Sequence, residues 1–170
     1  MRALLRYALF AVMLASLSIA GFSQDKEKKA GIVPSAELKQ IVPNSFFFAG
    51  QSAPVQLRNS VAIRLKDGQV VLAGLVDTSG YSSDVQQKYQ GFFITESKLD
   101  VDGKEVSPGQ YGFGFANGKF RIMDVGNNDL LEVDFKQDDQ LKRPVPLTVA
   151  EGDGGYRLYA GKKYVTLKAK

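Results

Sequence analysis

The fold class is decided by one stretch of the chain, SVAIRLKDGQVVLAGLV (Ser60–Val76). Its first six residues alternate in polarity, as expected of a strand with one buried face. Asp67-Gly68 follows, and an Asp-Gly pair between two apolar runs is among the strongest hairpin signals. The returning segment, Val70–Val76, is apolar throughout, which predicts a strand that is buried on both faces.

The same rhythm of short apolar segments and Gly or Asn turns continues to the C-terminus, with turns at Asp102-Gly103 and Asn117-Gly118. Segments of this kind recur roughly every 8–12 residues without an intervening long helical pattern. The sequence therefore predicts an all-β fold: a single antiparallel β-sandwich or barrel of roughly eight short strands, formed by residues 45–170.

Residues 24–44 lie ahead of this predicted domain and are polar, rich in lysine and interrupted by Gly31 and Pro34. We expect a flexible leader that contains one short helix. The helix is predicted over Ser35–Ile41, with Ser35 as its N-cap and Pro43 as its stop signal.

Residues 1–23 have every part of a secretory signal peptide. Arg2 and Arg6 precede an uncharged run, Tyr7–Ser23, which ends in small residues at the spacing that a signal peptidase reads. The alternative is an uncleaved anchor, but the run is shorter than the roughly 20 residues of a spanning helix. We expect an exported protein, periplasmic or extracellular in a bacterial setting, that contacts the membrane only through the signal peptide before cleavage.

The chain contains no histidine and no cysteine. Their absence excludes Ser-His-Asp and Cys-His triads, thiol nucleophiles, and metal or haem sites built on these ligands. An enzyme would have to use carboxylates, lysine, tyrosine or serine alone. The composition thus favours a non-catalytic protein, and we expect no cofactor.

The charge of the mature chain is close to neutral. Residues 1–23 hold two arginines and no acidic residue, so cleavage lowers the net charge from +4 to +2. Such a chain lacks the basic footprint of a nucleic-acid-binding protein. We therefore expect no nucleic-acid partner.

The loop Asp77–Ser83 emerges from the most apolar predicted strand, and loops held by a rigid sheet are where binding residues concentrate. Asp77, Ser79 and Tyr81 form a candidate site for a polar ligand such as a glycan. The alternative is a loop that is polar because it is exposed to water.

A second candidate site is the stripe of Tyr111, Phe113 and Phe115, which alternates with glycine and alanine. The rings could stack on sugars or line an apolar cavity, or they could be the inward face of a core strand. The small residues on the opposite face allow another backbone or a ligand to approach closely.

An oxygen-rich cluster surrounds Gly126 and offers a candidate calcium site, formed by Asp124, Asn127, Asn128 and Asp129. Carboxylate and amide oxygens are the ligands that calcium prefers. The alternative is that these residues are present because they favour β-turns.

These observations predict an exported non-catalytic β-domain that acts as a binding or structural module. Its expected partner is an unknown small molecule, a glycan or an envelope protein. One alternative is a small carrier of lipids or other apolar ligands with a barrel cavity. Another is a histidine-free hydrolase that acts on glycans through two carboxylates, drawn from Glu96, Glu105, Glu132 and Glu151.

Overall fold

Two antiparallel β-sheets and two short helices make up residues 29–170, the part of the chain that the computed structural model describes. The predicted all-β class is therefore confirmed for these residues. The predicted signal peptide, residues 1–23, lies outside the described residues.

The elements are given in chain order. They are β1 (Gly31–Ile32), α1 (Ser35–Ile41), β2 (Ser45–Phe48), β3 (Gln51–Arg64), β4 (Val70–Val76), α2 (Ser83–Gln86), β5 (Gly91–Thr95), β6 (Leu99–Val101), β7 (Lys104–Val106), β8 (Gly109–Ala116), β9 (Lys119–Met123), β10 (Asp129–Asp134), β11 (Lys136–Gln137), β12 (Thr148–Gly152), β13 (Gly155–Ala160) and β14 (Lys163–Ala169). The described residues thus form more strands than the roughly eight predicted, because β1, β6, β7 and β11 are too short to show a sequence period.

The first sheet has the strand order β1-β3-β4-β5-β8-β9-β10, and β2 pairs with the first part of β3. The second sheet has the order β12-β13-β14-β6-β7, and β11 pairs with β14. All of the pairings are antiparallel.

The hairpin predicted from Ser60–Val76 is confirmed. Arg64 pairs with Val70 across the β3–β4 ladder. The turn is closed by a hydrogen bond from the Leu65 N–H to the Gln69 carbonyl oxygen, at 2.8 Å. Gly68 has a φ of +86°, a conformation that a residue without a Cβ adopts without strain.

One apolar cluster lies between the sheets, and both sheets contribute to it. Val71 and Ala73 of β4 belong to it, whereas Val76 of the same strand belongs to a cluster on the opposite face of the first sheet. Strand β4 is therefore buried on both faces, as its apolar sequence predicts. We call these two groups the inter-sheet cluster and the outer cluster.

The outer cluster is covered by the N-terminal segment, the β2–β3 hairpin and the segment around α2. Val33, Leu38 and Val42 are buried there, so the helix that was predicted within the leader packs against the sheet. The position of the helix is confirmed, but Ser35 as its N-cap is wrong. Pro34 holds that position, because its carbonyl oxygen accepts the first helical hydrogen bond, from Leu38 N–H. The division between a leader and a domain at residue 45 stays a prediction.

The small-residue face of β8 is closely covered, as its sequence predicts. A Cβ added at Gly112 would lie 2.3 Å from Cε2 of Phe48, and one at Gly114 would lie 1.9 Å from the Lys88 carbonyl oxygen. An aromatic ring and a backbone segment therefore occupy this face.

Neither described helix has the length and apolar character needed to cross a membrane.

Candidate functional site

A cleft opens between the two sheets where β4 and β8 end beside the turn that joins β13 to β14. We call it the end cleft. Its volume of about 360 Å³ lies at the small end of the range for ligand pockets. Its walls combine apolar and polar side chains, namely Leu75, Val76, Phe115, Pro146 and Ala160 together with Gln56, Thr78, Gln90 and Lys163.

A bulge in β3 places Gln56 at the rim of the end cleft. Val55 pairs with Val76 and Ser60 pairs with Gly74, so β3 has extra residues between these two pairs. The Gln56 Nε2 donates to the Val76 carbonyl oxygen at 3.2 Å, and its Oε1 accepts from Asn59 Nδ2 at 2.7 Å. Bulges of this kind are common beside functional sites, because they redirect a side chain.

Gln90 forms a rigid part of the wall. Its Nε2 donates to the Phe115 carbonyl oxygen at 3.3 Å, and its Oε1 accepts from the Phe115 N–H at 3.0 Å. Its backbone N–H donates to the Phe113 carbonyl oxygen at 2.8 Å. The amide is thus fixed in orientation, and it keeps one N–H and one lone pair for a further partner.

Phe115 links the end cleft to a cation. Its ring lies 6.0 Å from the ring of Phe135, centroid to centroid, and the Lys163 Nζ lies 5.1 Å from the Phe135 centroid. A cation over an aromatic face is attracted by the ring quadrupole. The ammonium of a cleft residue, Lys163, therefore lies over an aromatic ring that packs beside Phe115.

The predicted loop residues lie next to the end cleft and do not line it. The Asp77 Oδ1 accepts a hydrogen bond from the Ser79 N–H at 3.0 Å, and this bond holds the pKa of the exposed carboxyl below its usual value. Tyr81 is buried in the outer cluster, where its hydroxyl donates to the Gln51 carbonyl oxygen at 3.2 Å. From this loop it is Thr78 that reaches the end cleft.

The predicted aromatic stripe packs in the inter-sheet cluster, as expected of the inward face of a core strand, with Phe113 and Phe115 as members and Tyr111 packed against it. Phe113 is completely buried in the inter-sheet cluster. Tyr111 is partly buried, and its hydroxyl donates to the Ser107 carbonyl oxygen at 2.9 Å. Phe115 is also buried in this cluster, and it contributes to the wall of the end cleft. The structure thus brings together one residue of the stripe and the predicted binding loop.

The predicted calcium-binding residues form a tight turn after β9. The Asp124 carboxylate accepts two hydrogen bonds from Asn128, from its N–H and its Nδ2, each at 2.9 Å, and they lower the pKa of Asp124. The Lys88 Nζ binds the Asp129 carboxylate at 2.8 Å and the Asn127 carbonyl oxygen at 3.1 Å. These contacts are those of a turn. Among residues 29–170 no group of three or more acidic side chains is placed to hold a metal ion, and the calcium site stays a prediction.

Three of the four carboxylates considered for hydrolysis have structural partners. Glu96 accepts from the Val70 N–H at 2.8 Å, Glu105 binds Lys98 and Lys170, each at 3.1 Å, and Glu132 binds Arg121 at 2.9 Å. A general acid at neutral pH needs a raised pKa. In the described part of the chain, hydrogen bonds lower the pKa of every carboxyl group with a resolved shift, which are Asp77, Glu105, Asp124 and Asp153.

A second, charged groove lies where β10 approaches β7, with a volume of about 470 Å³. Two of its lysines form ion pairs within the groove. Lys136 binds Asp102 at 2.6 Å, and Lys119 binds Asp134 at 2.8 Å. Lys104 donates to the Glu132 carbonyl oxygen at 2.8 Å on edge strand β10. Two of the groove's three lysines are thus neutralised by carboxylates, whereas Lys104 is held by a carbonyl oxygen.

Sequence reasoning missed three residues of the end cleft: Gln56, Gln90 and Lys163. A usable signal existed for Gln56, because Gln56, Arg58 and Asn59 interrupt an otherwise strand-like segment. No comparable signal marks Gln90 or Lys163.

The chain matches no family model, and no curated protein or solved structure matches it either.

Proposed function

We propose that this protein is an exported, non-catalytic binding module of the bacterial periplasm or cell exterior, and that the end cleft is its ligand site. The observation that carries the proposal is the composition of the cleft wall, in which Gln56, Thr78, Gln90 and Lys163 stand among apolar residues. Ligand pockets in general combine apolar walls with a few fixed polar groups of this kind.

We further propose that the domain is a β-sandwich with two open sheets. The strand orders support this, since the first sheet runs from β1 to β10 and the second from β12 to β7. The inter-sheet cluster also supports it, because residues of both sheets pack there face to face.

A polar ligand at the end cleft is better supported than an apolar ligand between the sheets. The rings of Phe113, Phe115 and Phe120 lie within 4.8–6.3 Å of one another in the inter-sheet cluster, centroid to centroid. The carboxylate-hydrolase alternative draws no support from the lowered carboxyl pKa values. Hydrolysis of a glycan by the purified protein at enzyme-like rates would contradict a non-catalytic role.

Ligand binding is tested by saturation-transfer NMR on the exported protein, with a panel of neutral and acidic monosaccharides. We expect at least one sugar to bind. We expect Ala160→Leu, which fills the end cleft, to abolish the signal. The matched control is Ala150→Leu, a partly buried alanine outside the cleft, which should retain it. Equal binding by the two variants, or no binding by any sugar or N-acylated amino acid in the same assay, would contradict the proposed site.

Export is tested by the intact mass of the protein recovered from periplasmic and culture fractions. We expect the loss of about the first 20–23 residues, as a cleaved signal peptide requires. A full-length mass found only in the membrane fraction would instead support the anchor.

A further inference from the structure

Lys163 is the charged residue in a cleft wall that is otherwise neutral. Its side chain is partly buried, and within residues 29–170 no carboxylate lies within ion-pair distance of it. Its Nζ lies over the ring of Phe135. A cation that has lost part of its hydration is stabilised by an anionic partner, and here the described residues supply none.

We propose that the end cleft binds small ligands that carry a carboxylate group and that Lys163 recognises this group. The inference rests on the proposed function, since it names the ligand class of the same site. One lysine matches the single negative charge of a carboxylate. A phosphate dianion would keep a second charge uncompensated in this wall.

The surroundings of Lys163 suit the remainder of such a ligand. The amide of Gln90 is oriented by Phe115 and keeps one donor and one acceptor position for a hydroxyl or an amide. Leu75, Pro146 and Ala160, which are partly or fully exposed, provide apolar surface for carbon atoms. A volume of about 360 Å³ suits one sugar ring or one amino-acid unit. The carboxylate can therefore come from a sugar acid or from an acylated amino acid.

The test uses two pairs of probes, each a carboxylate and its neutral amide of nearly the same shape. The first pair is D-glucuronate and D-glucuronamide, and the second is N-acetyl-L-alanine and N-acetyl-L-alaninamide. Binding is measured by titration calorimetry or NMR on the exported wild-type protein and on three variants, Lys163→Gln, Lys163→Arg and Lys162→Gln. Lys162 is the matched control, because it is the partly buried neighbour and does not line the cleft. Melting temperatures confirm that each variant is folded.

We expect at least one carboxylate to bind about tenfold or more tightly than its amide, which is typical of a charge-assisted hydrogen bond. Lys163→Gln should remove that difference, Lys163→Arg should keep most of it, and Lys162→Gln should leave it unchanged. Higher salt should weaken binding of the acid and leave binding of the amide unchanged. Binding of one acid alone would identify the source of the carboxylate.

Two outcomes would overturn the inference. If neither acid binds more tightly than its amide, or if Lys163→Gln binds the preferred acid like the wild type, the cleft does not recognise a carboxylate, and the proposed function still stands. If neither acid binds, the carboxylate inference fails. The proposed function then depends on whether a neutral sugar shows binding that Ala160→Leu abolishes.

Discussion

The two apolar clusters on either face of the first sheet are built in different ways. The inter-sheet cluster is formed mainly by strand residues, and its buried members are aliphatic side chains and phenylalanines. The outer cluster draws much of its cover from a helix, a hairpin and a loop, and it buries two tyrosines, Tyr81 and Tyr89. One side of the sheet is thus a regular core between ladders, whereas the other is an irregular cover.

The difference arises from which residues face each cluster. On β8 the face towards the second sheet carries rings, while the opposite face carries Gly112 and Gly114. Because these glycines leave room, Phe48 and the backbone at Lys88 approach the sheet directly. The covering elements also bring a polar atom into the interior. The Tyr89 hydroxyl is buried and has no hydrogen-bond partner within the described residues.

Removal of a ring should cost more in the inter-sheet cluster than in the outer cluster. Phe113 and Phe48 are both completely buried. Truncation of a buried phenylalanine costs about 3–5 kcal/mol, depending on how well the site can collapse. We expect Phe113→Ala near the upper end, because ladder strands cannot move together, and Phe48→Ala near the lower end. Urea denaturation measures both free energies of unfolding.

The exposed neighbour of Phe48 is the control for this comparison. Phe47 lies on the same strand and is 54% exposed. We expect Phe47→Ala to change the free energy of unfolding by less than about 0.5 kcal/mol. A larger loss for Phe48→Ala than for Phe113→Ala would show that the irregular cover is the tighter of the two clusters.

A methyl group on the glycine face of β8 should disturb the cover of the outer cluster. The Cβ of Gly114→Ala would meet the Lys88 carbonyl oxygen, a backbone atom that cannot rotate away. Overpacking of this kind costs about 1–3 kcal/mol, which thermal or urea unfolding would detect. The matched control is Gly80→Ala, because nothing lies within 4 Å of its added Cβ. Equal stability of the two variants would show that the segment at Lys88 moves freely.

The regular half of the molecule was predictable from the sequence, and the irregular half was predictable only in part. Ser60–Val76 and Asn117-Gly118 combine period-two patterns with turn residues, so local chemistry specifies their hairpins. The short helix was also visible. Its burial was not, because seven residues show no long period and their partners lie in distant strands.

The same distinction applies to the end cleft. The sequence predicted Phe115 and the loop after β4 as candidate ligand-binding sites because each has a local signal. For Phe115 the signal is an aromatic stripe, and for the loop it is a run of polar residues. Gln90 and Lys163 reach the cleft because the ends of distant strands meet there. Such a meeting depends on sheet topology, and no local sequence pattern encodes it.

Alkaline pH should reveal the buried tyrosine of the outer cluster. Burial, with the Tyr81 hydroxyl nearby, raises the pKa of Tyr89 well above 10.0. Above pH 10 the unfolded chain loses this proton while the folded protein keeps it. The stabilisation is therefore complete below pH 10 and decreases as the pH rises, by at most about 1.4 kcal/mol per pH unit. Urea unfolding between pH 8 and 12 should show a shallower decrease for Tyr89→Phe than for the wild type, and parallel curves would contradict this prediction.

At neutral pH the loss of the same hydroxyl should have the smallest effect of all. Because the Tyr89 hydroxyl has no partner among the described residues, Tyr89→Phe removes a buried polar atom without breaking a hydrogen bond. We expect no loss, or a gain of up to about 1 kcal/mol. Tyr159→Phe is the matched control, since its hydroxyl donates to the Asp138 carboxylate at 3.0 Å. That variant should lose about 1 kcal/mol. If Tyr89→Phe loses as much stability as Tyr159→Phe, the Tyr89 hydroxyl forms a hydrogen bond with an ordered water or another partner. The outer cluster then does not leave this polar atom unpaired.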